Sequence, residues 1–529
     1  MIDSIIIKNY KGIKELNLAF NDSRTVIVGN NGVGKSTIIE ALQLALGDNE
    51  YKTDLNQFSF HKSCWTISDR RISNLPKIEI EIYFSSDVDM PDFRGKNNIL
   101  LDEFSGMRFS FEFDEAYEET YSKESAHNFI PCEYYHIVRT WLSGQPYKRK
   151  LLPFRLFVID SSNTFFNSRP RQFMSHLLED DTDDFKAQML SCLAGMRAIF
   201  EGNINVKSLN DILTNRAQEI KKGLSVSIDL TSKNSYSSIL TPFVDGVPFE
   251  NAGLGEQCIV KTLLSLGTPE DIKPRVLFIE EPETHLSHTM MYHLMNLLNK
   301  RDNAQLVITT HSSFVANRMD LSNIAVLHKD EYGIVKSKRL IMDLEKDDYK
   351  YFFKSTDYAT LRLILCKAAI LVEGPTDEMV CHYYMRKIGR EVFHNGIELM
   401  AVDGVSFKHF IALAKDLKIK VAIIRDRDKG TIEDYNRLYF GEEPLEDMKV
   451  FLDKDQPSIE QSFVYINEKE LQKLSDTVRC KKIKDDTPEK LIEFMVNNKT
   501  EWAYRLLEGD ESLDVPQHIK DAFNWSDGK

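Results

Sequence analysis

The sequence predicts an α/β protein with two mostly parallel sheets, the first of which is interrupted by a helical insertion. A glycine-rich loop lies between a short β-branched strand, Thr25–Val28, and a helix from about Lys35 to Leu46 that ends at Gly47. A charged stretch with helical spacing runs from about Phe165 to Gly223. Short apolar runs then alternate with helical patterns, as they do in parallel sheets. These runs are residues 276–279, 306–309, 370–372 and 421–424.

Two segments before the insertion show a different pattern, in which apolar and polar residues alternate. They are Lys77–Phe84 and Met107–Phe113. A period of two is typical of strands with one exposed face, so we expect half-exposed strands of an antiparallel sheet here. From Glu468 onward the pattern predicts helices joined by charged loops.

Composition narrows the class of protein. The 529 residues are too many for one core, and 42% hydrophobic and 28% charged residues are ordinary for a globular chain. No apolar run predicts a membrane span, and the N-terminus lacks the pattern of a signal peptide. Seven scattered cysteines without a C-x-x-C pair predict reduced thiols in the cytoplasm and argue against a zinc site. The net charge of −14 means that any DNA contact needs local basic patches or bound metal ions.

The glycine-rich loop, residues 29–36, reads GNNGVGKS and fits the phosphate-binding pattern G-x-x-x-x-G-K-[ST]. Its glycines let backbone N–H groups close around phosphates, and the helix N-terminus favours negative charge. Lys35 is expected to reach the β- and γ-phosphates of ATP, and Ser36 to bind Mg²⁺. The predicted nucleotide contacts of this loop are Gly29, Asn30, Asn31, Gly32, Gly34, Lys35, Ser36 and Thr37.

Residues 275–283, RVLFIEEPE, predict a buried strand with two acids at its C-terminal end. Ligand sites of parallel sheets lie at that end. Glu280 is expected to hold Mg²⁺ through water, and Glu281 to polarise the attacking water. A second strand, residues 306–310, ends beside His311, which is placed to sense a γ-phosphate.

Residues 251–257, NAGLGEQ, form a glycine-rich turn that leads into a helix. Together with EEPETHLS at 280–287 and His311, this turn resembles the signature of ABC-type ATPases of the chromosome-maintenance and recombination class. The resemblance implies a head-to-tail ATP sandwich, in which Gly253 and Gly255 of one protomer cover the ATP of another. The family usually has serine between or just before these glycines, where this chain has Leu254 and Ala252. We therefore expect slow or gated turnover.

Three later segments each end a predicted strand in an acid. They are AILVEGPTD at 369–377, MAVDG at 400–404 and VAIIRDRD at 421–428. We expect Glu373, Asp377, Asp426 and Asp428 to converge at one sheet edge, with the last two on one face of an extended segment. Asp403 is a weaker candidate.

Carboxylates packed this closely repel one another unless cations neutralise them. Mg²⁺ and Mn²⁺ prefer oxygen ligands, and two such ions can activate water and stabilise the leaving oxygen of a phosphodiester. The acidic segments therefore predict a two-metal site, in addition to the one ion expected with ATP.

This ordered set of acids resembles the Toprim domain, and the whole chain resembles the OLD (overcoming lysogenization defect) family of nucleases. Gabija-like and retron-linked anti-phage systems have a similar architecture. The resemblance implies that Glu460, in QPSIE at 456–460, adds to the second metal site. It also implies that Lys499, in NNKTEWA at 497–503, stabilises the phosphorane charge or positions the scissile phosphate.

The resemblance implies an ABC-type P-loop ATPase with a helical dimerisation insertion, followed by a Toprim α/β domain. The insertion has no long heptad repeat, so we expect it to be compact. The predicted segments are residues 1–160 (N-terminal part of the ATPase), 161–235 (insertion), 236–360 (C-terminal part of the ATPase) and 361–529 (Toprim domain with C-terminal helices).

The function that the sequence favours is an ATP-regulated, divalent-metal-dependent DNA endonuclease in anti-phage defence. It would act as a homodimer or homotetramer, with a partner protein or a retron RNA–DNA as its switch. Local basic residues are candidate phosphate contacts; they are 148–150, Lys408, Lys415, Lys418, Lys420, Arg425, Arg427 and 481–484. The alternative is an ATP-driven DNA-binding or repair clamp with a non-catalytic Toprim domain. A primase or topoisomerase is disfavoured, because neither a zinc module nor a distinctive tyrosine is evident.

Overall fold

The fold is described from a computed structural model. It covers residues 1–47, 55–67, 71–86, 90–123, 129–160, 183–216, 243–266, 274–300, 304–330, 332–339, 351–352, 359–389, 396–402, 406–428, 430–441, 445–479, 486–509 and 511–528.

The strands within these residues form four sheets. They are β1 (Ile2–Tyr10), β2 (Ile13–Ala19), β3 (Arg24–Gly29), β4 (Ile78–Phe84), β5 (Arg94–Gly95), β6 (Phe104–Phe113), β7 (Tyr135–Trp141), β8 (Arg155–Asp160), β9 (Phe243–Val244), β10 (Val247–Pro248), β11 (Arg275–Glu280), β12 (Ala304–Thr310), β13 (Ile324–Lys329), β14 (Val335–Arg339), β15 (Ala368–Val372), β16 (Ile397–Ala401), β17 (Lys420–Ile424) and β18 (Met448–Phe451).

The α-helices of the same residues lie between and after these strands. They are α1 (Lys35–Leu46), α2 (Glu118–Lys123), α3 (Asp183–Gly202), α4 (Ile204–Arg216), α5 (Leu254–Leu266), α6 (His288–Asn299), α7 (Ser313–Arg318), α8 (Ala359–Leu365), α9 (Pro375–Lys387), α10 (Phe407–Leu417), α11 (Ile432–Phe440), α12 (Ile459–Ile466), α13 (Leu471–Arg479), α14 (Pro488–Asn497), α15 (Lys499–Glu508) and α16 (Gln517–Ser526). No described helix has the combined length and hydropathy that a bilayer crossing requires.

The first sheet is antiparallel, with strand order β2-β1-β4-β6-β5 and β7 paired to β6. Its existence confirms the antiparallel sheet predicted before the insertion. The exposure predicted for β4 is wrong, because all seven of its residues are buried.

Buried acids explain why the alternating pattern of β4 misleads. Glu81 is fully buried, and both of its carboxylate oxygens lie 2.9 Å from the Ile99 N–H, which donates to them. Its carboxylate also accepts a hydrogen bond from the Tyr83 hydroxyl, and Arg108 forms an ion pair with neighbouring Glu79. These partners offset the cost of removing the carboxylates from water.

The second sheet has strand order β14-β13-β3-β12-β11-β8 and is parallel except for the β13–β14 pair. Its strands confirm the runs predicted at 276–279 and 306–309, and α1 runs from Lys35 to Leu46 with Gly47 at its C-terminus, as predicted. The side chain of Gln305 on β12 links this sheet to the first sheet through hydrogen bonds. Its side-chain oxygen accepts from the Ile2 N–H at 2.9 Å, and its nitrogen donates to the Ile2 carbonyl at 2.7 Å.

The third sheet is fully parallel, with strand order β16-β15-β17-β18. It confirms the runs predicted at 370–372 and 421–424. The connections alternate strands with helices, so the carboxyl ends of β15, β16 and β17 lie at one edge.

Among the described residues, three large hydrophobic cores hold these layers together, beside a small fourth cluster of Ile6, Tyr83 and Leu142. The first lies between the antiparallel sheet and one face of the second sheet, and it includes Ile27 and α1. The second joins the opposite face of the second sheet to the third sheet, so that Ile308, Leu371 and Phe410 belong to one continuous cluster. The third core covers the other face of the third sheet.

The predicted insertion at 161–235 is described only between residues 183 and 216, where it consists of the helices α3 and α4. Large apolar side chains on these helices are exposed. They are Met196, Ile199, Ile204, Leu209 and Ile212. The remainder of the insertion lies outside the described residues.

Candidate functional site

The glycine-rich loop connects β3 to the N-terminus of α1. Gly32 and Gly34 have positive φ angles of 72° and 116°, a conformation that a side chain would strain. A Cβ atom added to Gly29 would lie 2.9 Å from the Leu327 carbonyl oxygen, so this position has no room for a side chain. Asn30 and Asn31 are exposed on the loop. The backbone therefore has the form that the phosphate-binding pattern predicts.

Lys35 is buried at the base of this loop. Its ammonium group donates to the Gly29 carbonyl at 2.9 Å and to the Asn30 carbonyl at 3.4 Å. Burial lowers the pKa of Lys35, and the negative charges of Glu281, Glu283 and Glu280, in that order, oppose this shift. The lysine and the acids at the end of β11 thus belong to one site. Ser36 is exposed and Thr37 half-buried in the first turn of α1.

Glu280 and Glu281 lie where β11 ends. Glu280 is the last residue of the strand and is buried, whereas Glu281 takes a positive φ of 42° and donates its N–H to the Thr309 carbonyl at 3.0 Å. The Glu281 Oε1 atom is 3.4 Å from Nε2 of His311. Burial lowers the pKa of His311, and Lys35 lowers it further. The histidine is therefore mostly neutral at neutral pH, and it lies beside the acid.

Glu283 is a site residue to which the sequence reasoning gave no role. Its Oε1 atom accepts hydrogen bonds from the Thr310 hydroxyl and from the His311 N–H, both at 2.7 Å. Burial raises the pKa of Glu283. The only signal in the sequence is a third acid after Pro282, in EEPE. The contact shows that Glu283 fixes the backbone that carries His311.

The signature-like turn leads into a helix as expected, but α5 already begins at Leu254, so Gly255 lies in the helix and not in the turn. A Cβ atom added to Gly255 would lie 2.6 Å from the His285 carbonyl oxygen, so Gly255 is required for packing within the chain. Gly253 is exposed, and a Cβ added there would meet nothing within 4 Å. Of the two glycines, Gly253 is the accessible one.

Four of the predicted carboxylates converge at the edge of the third sheet. Glu373 directly follows β15, and Asp426 follows β17 and accepts from the Ile459 N–H at 2.7 Å. Asp377 lies in the first turn of α9 and accepts from the Gly374 N–H at 3.1 Å. Glu460, which is 2% exposed, lies in the first turn of α12.

The pKa shifts of Asp377 and Asp426 indicate that the four side chains lie near one another. Burial and then the charge of Glu373 raise the pKa of Asp377 to about 7, and Glu460 contributes. Burial and then the charges of Asp377, Glu460 and Glu373 raise the pKa of Asp426 to about 7. Asp377 and Asp426 therefore each feel the negative charge of the neighbouring carboxylates.

Asp428 and Lys499 lie at the rim of this acidic cluster. Asp428 has a positive φ of 48°, so the segment is not extended there and the predicted common face with Asp426 is absent. The Asp428 carboxylate, 65% exposed, contributes to raising the pKa of Glu373. Lys499 is the first residue of α15, and its charge partly opposes the rise that burial causes in the pKa of Glu373 and of Asp377. Asp403 lies outside the described residues.

Arg425 is the cation in direct contact with the cluster. Its Nη2 atom is 2.9 Å from Oε1 of Glu373 and 3.2 Å from Oδ2 of Asp428. Its Nη1 atom donates to the Tyr439 hydroxyl at 2.7 Å, and the guanidinium lies 3.9 Å from the centroid of the Tyr435 ring. The sequence identified Arg425 only as one of many basic residues.

The donor set is compatible with divalent ions, although the side chains are not arranged around one. Among the described residues, no group of three or more His, Cys, Asp or Glu side chains could hold a metal ion as placed. Yet Asp377 and Asp426 are each partly protonated near neutral pH, because burial and then the charges of neighbouring carboxylates raise their pKa to about 7. A hard cation with oxygen ligands would let both ionise.

Two family models match separate parts of the chain, one around the glycine-rich loop and one around the acidic cluster. Residues 24–317 match the family model described as "AAA domain, putative AbiEii toxin, Type IV TA system". Residues 364–428 match the model described as "Overcoming lysogenization defect protein-like, TOPRIM domain". The second match contains Glu373, Asp377, Asp426 and Asp428.

Named relatives are similar over most of the chain. An endonuclease GajA from Bacillus cereus strain VD045 is 23% identical over 454 residues, which cover 80% of this chain and 74% of that protein. An OLD nuclease from Thermus scotoductus is 22% identical and covers 82% of this chain and 83% of its own length.

Solved structures give weaker overlaps. An Smc head bound to the C-winged helix domain of ScpA covers 64% of this chain and 98% of its own, with a TM-score of 0.34 and 14% identity. The C-terminal region of the Burkholderia pseudomallei OLD protein covers 31% of this chain and 98% of its own, with a TM-score of 0.26 and 16% identity. Both TM-scores are low, and the family models rather than these overlaps establish the two domains.

Proposed function

Because this chain belongs to the AAA-domain family described as putative AbiEii toxins and carries an OLD-like Toprim domain, we propose that it is an ATP-regulated, divalent-metal-dependent DNA endonuclease. The observation that carries this proposal is the convergence of Glu373, Asp377, Asp426 and Glu460 from four separate elements. The names of the GajA and OLD relatives support the same reaction. Gabija-like and retron-linked systems suggest anti-phage defence as its setting.

In this proposal, Glu373, Asp377, Asp426, Asp428 and Glu460 hold two Mg²⁺ or Mn²⁺ ions. Such ions supply an activated water and stabilise charge on the leaving oxygen of a phosphodiester. Asp377 and Asp426 are half-buried, so fewer waters screen their charges than at an open surface, which strengthens the charge interactions there. Lys499 positions the scissile phosphate or stabilises its charge from the rim.

The nucleotide site controls access to this centre. Lys35 and the loop N–H groups bind the phosphates of ATP, Ser36 and Glu280 hold its Mg²⁺, Glu281 polarises water, and neutral His311 contacts the γ-phosphate. Their placement around one loop supports these roles. The complete set of proposed nucleotide contacts is Gly29, Asn30, Asn31, Gly32, Gly34, Lys35, Ser36, Thr37, Glu280, His311 and, from a second protomer, Gly253 and Gly255.

We infer a homodimer or homotetramer from two features. Gly253 is exposed at the signature-like turn, as a contact with a second protomer requires. Exposed apolar side chains on α3 and α4, among them Ile199 and Ile204, support a dimer contact through the insertion. The mass of the protein in solution, measured with and without ATP, tests this assembly.

The decisive experiment is plasmid cleavage by Glu373→Ala. The variant removes one carboxylate from the cluster, so cleavage in Mg²⁺ or Mn²⁺ is expected to fall by at least about 10²-fold, whereas ATP binding stays at the wild-type level. Glu378→Ala, on the same helix as Asp377, is the matched control and should cleave normally. Chelation with EDTA should stop cleavage by the wild type. Full cleavage by Glu373→Ala would refute the proposed active site.

One observation favours a second candidate, an ATP-driven DNA-binding clamp whose Toprim domain is not catalytic. Arg425 already neutralises Glu373 and Asp428, as a purely structural cluster would require. The same plasmid assay separates the two functions. Nicked or linear product formed by the wild type, and lost in Glu373→Ala, excludes the clamp.

A further inference from the structure

The guanidinium of Arg425 is held on three sides by groups other than the carboxylates of the acidic cluster. Its Nη1 atom donates to the Tyr439 hydroxyl at 2.7 Å, and its Nε atom donates to the Asp426 backbone carbonyl at 3.1 Å. The Tyr435 ring lies under it at 3.9 Å. The side chain is only 13% exposed. The position of the group is therefore set independently of the carboxylates.

The remaining nitrogen, Nη2, makes both contacts with the cluster. It lies 2.9 Å from Glu373 Oε1 and 3.2 Å from Asp428 Oδ2. Both acids are proposed ligands of divalent ions. Once positive ions satisfy those carboxylates, their attraction for Nη2 falls, while the three anchors of the guanidinium remain.

We propose that Arg425 is a phosphate-binding residue of the endonuclease centre, whose Nη2 exchanges Glu373 and Asp428 for a DNA phosphate when divalent ions occupy the cluster. The proposal rests on the proposed function, because it takes DNA as the substrate. Arginine suits this role, since its planar fork matches the geometry of a phosphate and its charge is permanent. The exchange would make DNA affinity depend on metal ions through one side chain.

The test measures affinity of the full-length protein for a fluorescein-labelled DNA duplex by anisotropy, in Ca²⁺ and in EDTA. Ca²⁺ is a hard, oxygen-liganded ion, and it serves as the probe for binding. The wild type is expected to bind the duplex more tightly in Ca²⁺ than in EDTA. Equal affinity in the two conditions would overturn the proposal.

The informative variant is Arg425→Gln, with Arg427→Gln as the matched control. Both changes remove one positive charge, but Arg427 donates to the Lys454 backbone carbonyl and makes no described contact with the carboxylates. Arg425→Gln is expected to lose at least about tenfold in affinity in Ca²⁺ and to match the wild type in EDTA, because there the guanidinium is engaged by Glu373 and Asp428. Arg427→Gln is expected to change affinity by the same factor in both conditions.

Thermal unfolding in EDTA shows whether Arg425→Gln folds as the wild type does. If it does not, Arg425→Lys takes its place, since it keeps the charge but loses the fork, and it should lose affinity several-fold in Ca²⁺ only. A loss that is equal in Ca²⁺ and EDTA, or no loss, would overturn the role of Arg425. Those results would leave the proposed function intact if the wild type still cleaves plasmid, whereas failure of plasmid cleavage counts against the function itself.

Discussion

At the scale of single residues, Glu283 has the clearest consequence for nucleotide turnover. Its carboxylate accepts from the Thr310 hydroxyl and the His311 N–H, and so fixes the residue that faces Glu281. Glu283→Ala removes that acceptor and leaves two donors unsatisfied, at a cost of about 1–3 kcal/mol. We expect its kcat for ATP hydrolysis to fall about tenfold or more, with ATP binding little changed, in a steady-state ATPase assay with a parallel binding measurement.

Glu283→Gln is the control for that experiment. Its amide oxygen can accept the same two hydrogen bonds. Burial already raises the pKa of the native carboxyl, so the contact depends little on the negative charge of Glu283. It should therefore keep most of the activity. Wild-type turnover in Glu283→Ala would show that the contact has no role in hydrolysis.

Residues inside short motifs were predictable, and residues that act through long-range contacts were not. Lys35, Glu280 and Glu281 follow from local patterns, because a loop or a strand end determines where their side chains lie. Glu283 contacts a residue 28 positions further along the chain, and Arg425, after β17, contacts Glu373, after the neighbouring strand β15. No local sequence pattern spans such separations along the chain, so only the folded arrangement reveals the contacts.

At the scale of elements, the acidic cluster was predictable because parallel strands deliver their carboxyl ends to one edge. Helix N-termini complete the site, since Asp377, Glu460 and Lys499 each lie in the first turn of a helix. The extended backbone predicted at Asp428 was wrong, because the residue takes a left-handed conformation, although its carboxylate shares the Arg425 guanidinium with Glu373. The exposure of β4 was also mispredicted, because its acids Glu79 and Glu81 have partners from other strands and loops.

The helix α16 makes the stability of the protein depend on pH. It packs against β15, β17 and β18 and carries His518, whose pKa burial lowers to about 4 in spite of nearby Asp453 and Asp521. In the unfolded chain the pKa is about 6.5, so between these values the unfolded state binds the extra proton. The contribution of His518 to the free energy of unfolding is therefore fully present above about pH 6.5, and it is lost as the pH falls towards 4.

We expect the contribution of His518 to fall by about 2 kcal/mol between about pH 7 and pH 5. His518→Gln cannot titrate, so its melting temperature should fall less than that of the wild type over this range. Differential scanning fluorimetry at both pH values measures the difference. Parallel falls in the two proteins would show that His518 does not control the acid response.

At the scale of the whole molecule, one hydrophobic core lies between the second and third sheets. It contains Ile308 from β12, Leu371 from β15 and Phe410 from α10. Hydrogen bonds reinforce it, because the Leu361 N–H donates to the Ser313 hydroxyl at 3.3 Å and Asn317 donates to the Thr360 hydroxyl at 3.3 Å. These bonds join α7, which begins after His311, to α8, which precedes β15.

A shared core predicts that the nucleotide-binding part and the third sheet unfold together. Calorimetry should show one transition for both, and Phe410→Ala should shift that entire transition, at a cost of about 3–5 kcal/mol. Loss of ATP binding on heating should coincide with it. Two separated transitions, with only the later part of the chain affected by Phe410→Ala, would contradict the coupling.

The same shared core limits how such proteins can be recombined. A nuclease half transplanted from a distant relative would bring a surface shaped for a different ATPase, and the chimera would have voids or clashes where α7 now packs against α8. Substitutions on the two facing surfaces must therefore accumulate in compensating pairs. Grafting experiments should move the facing residues of both sheets together with the acidic strand ends.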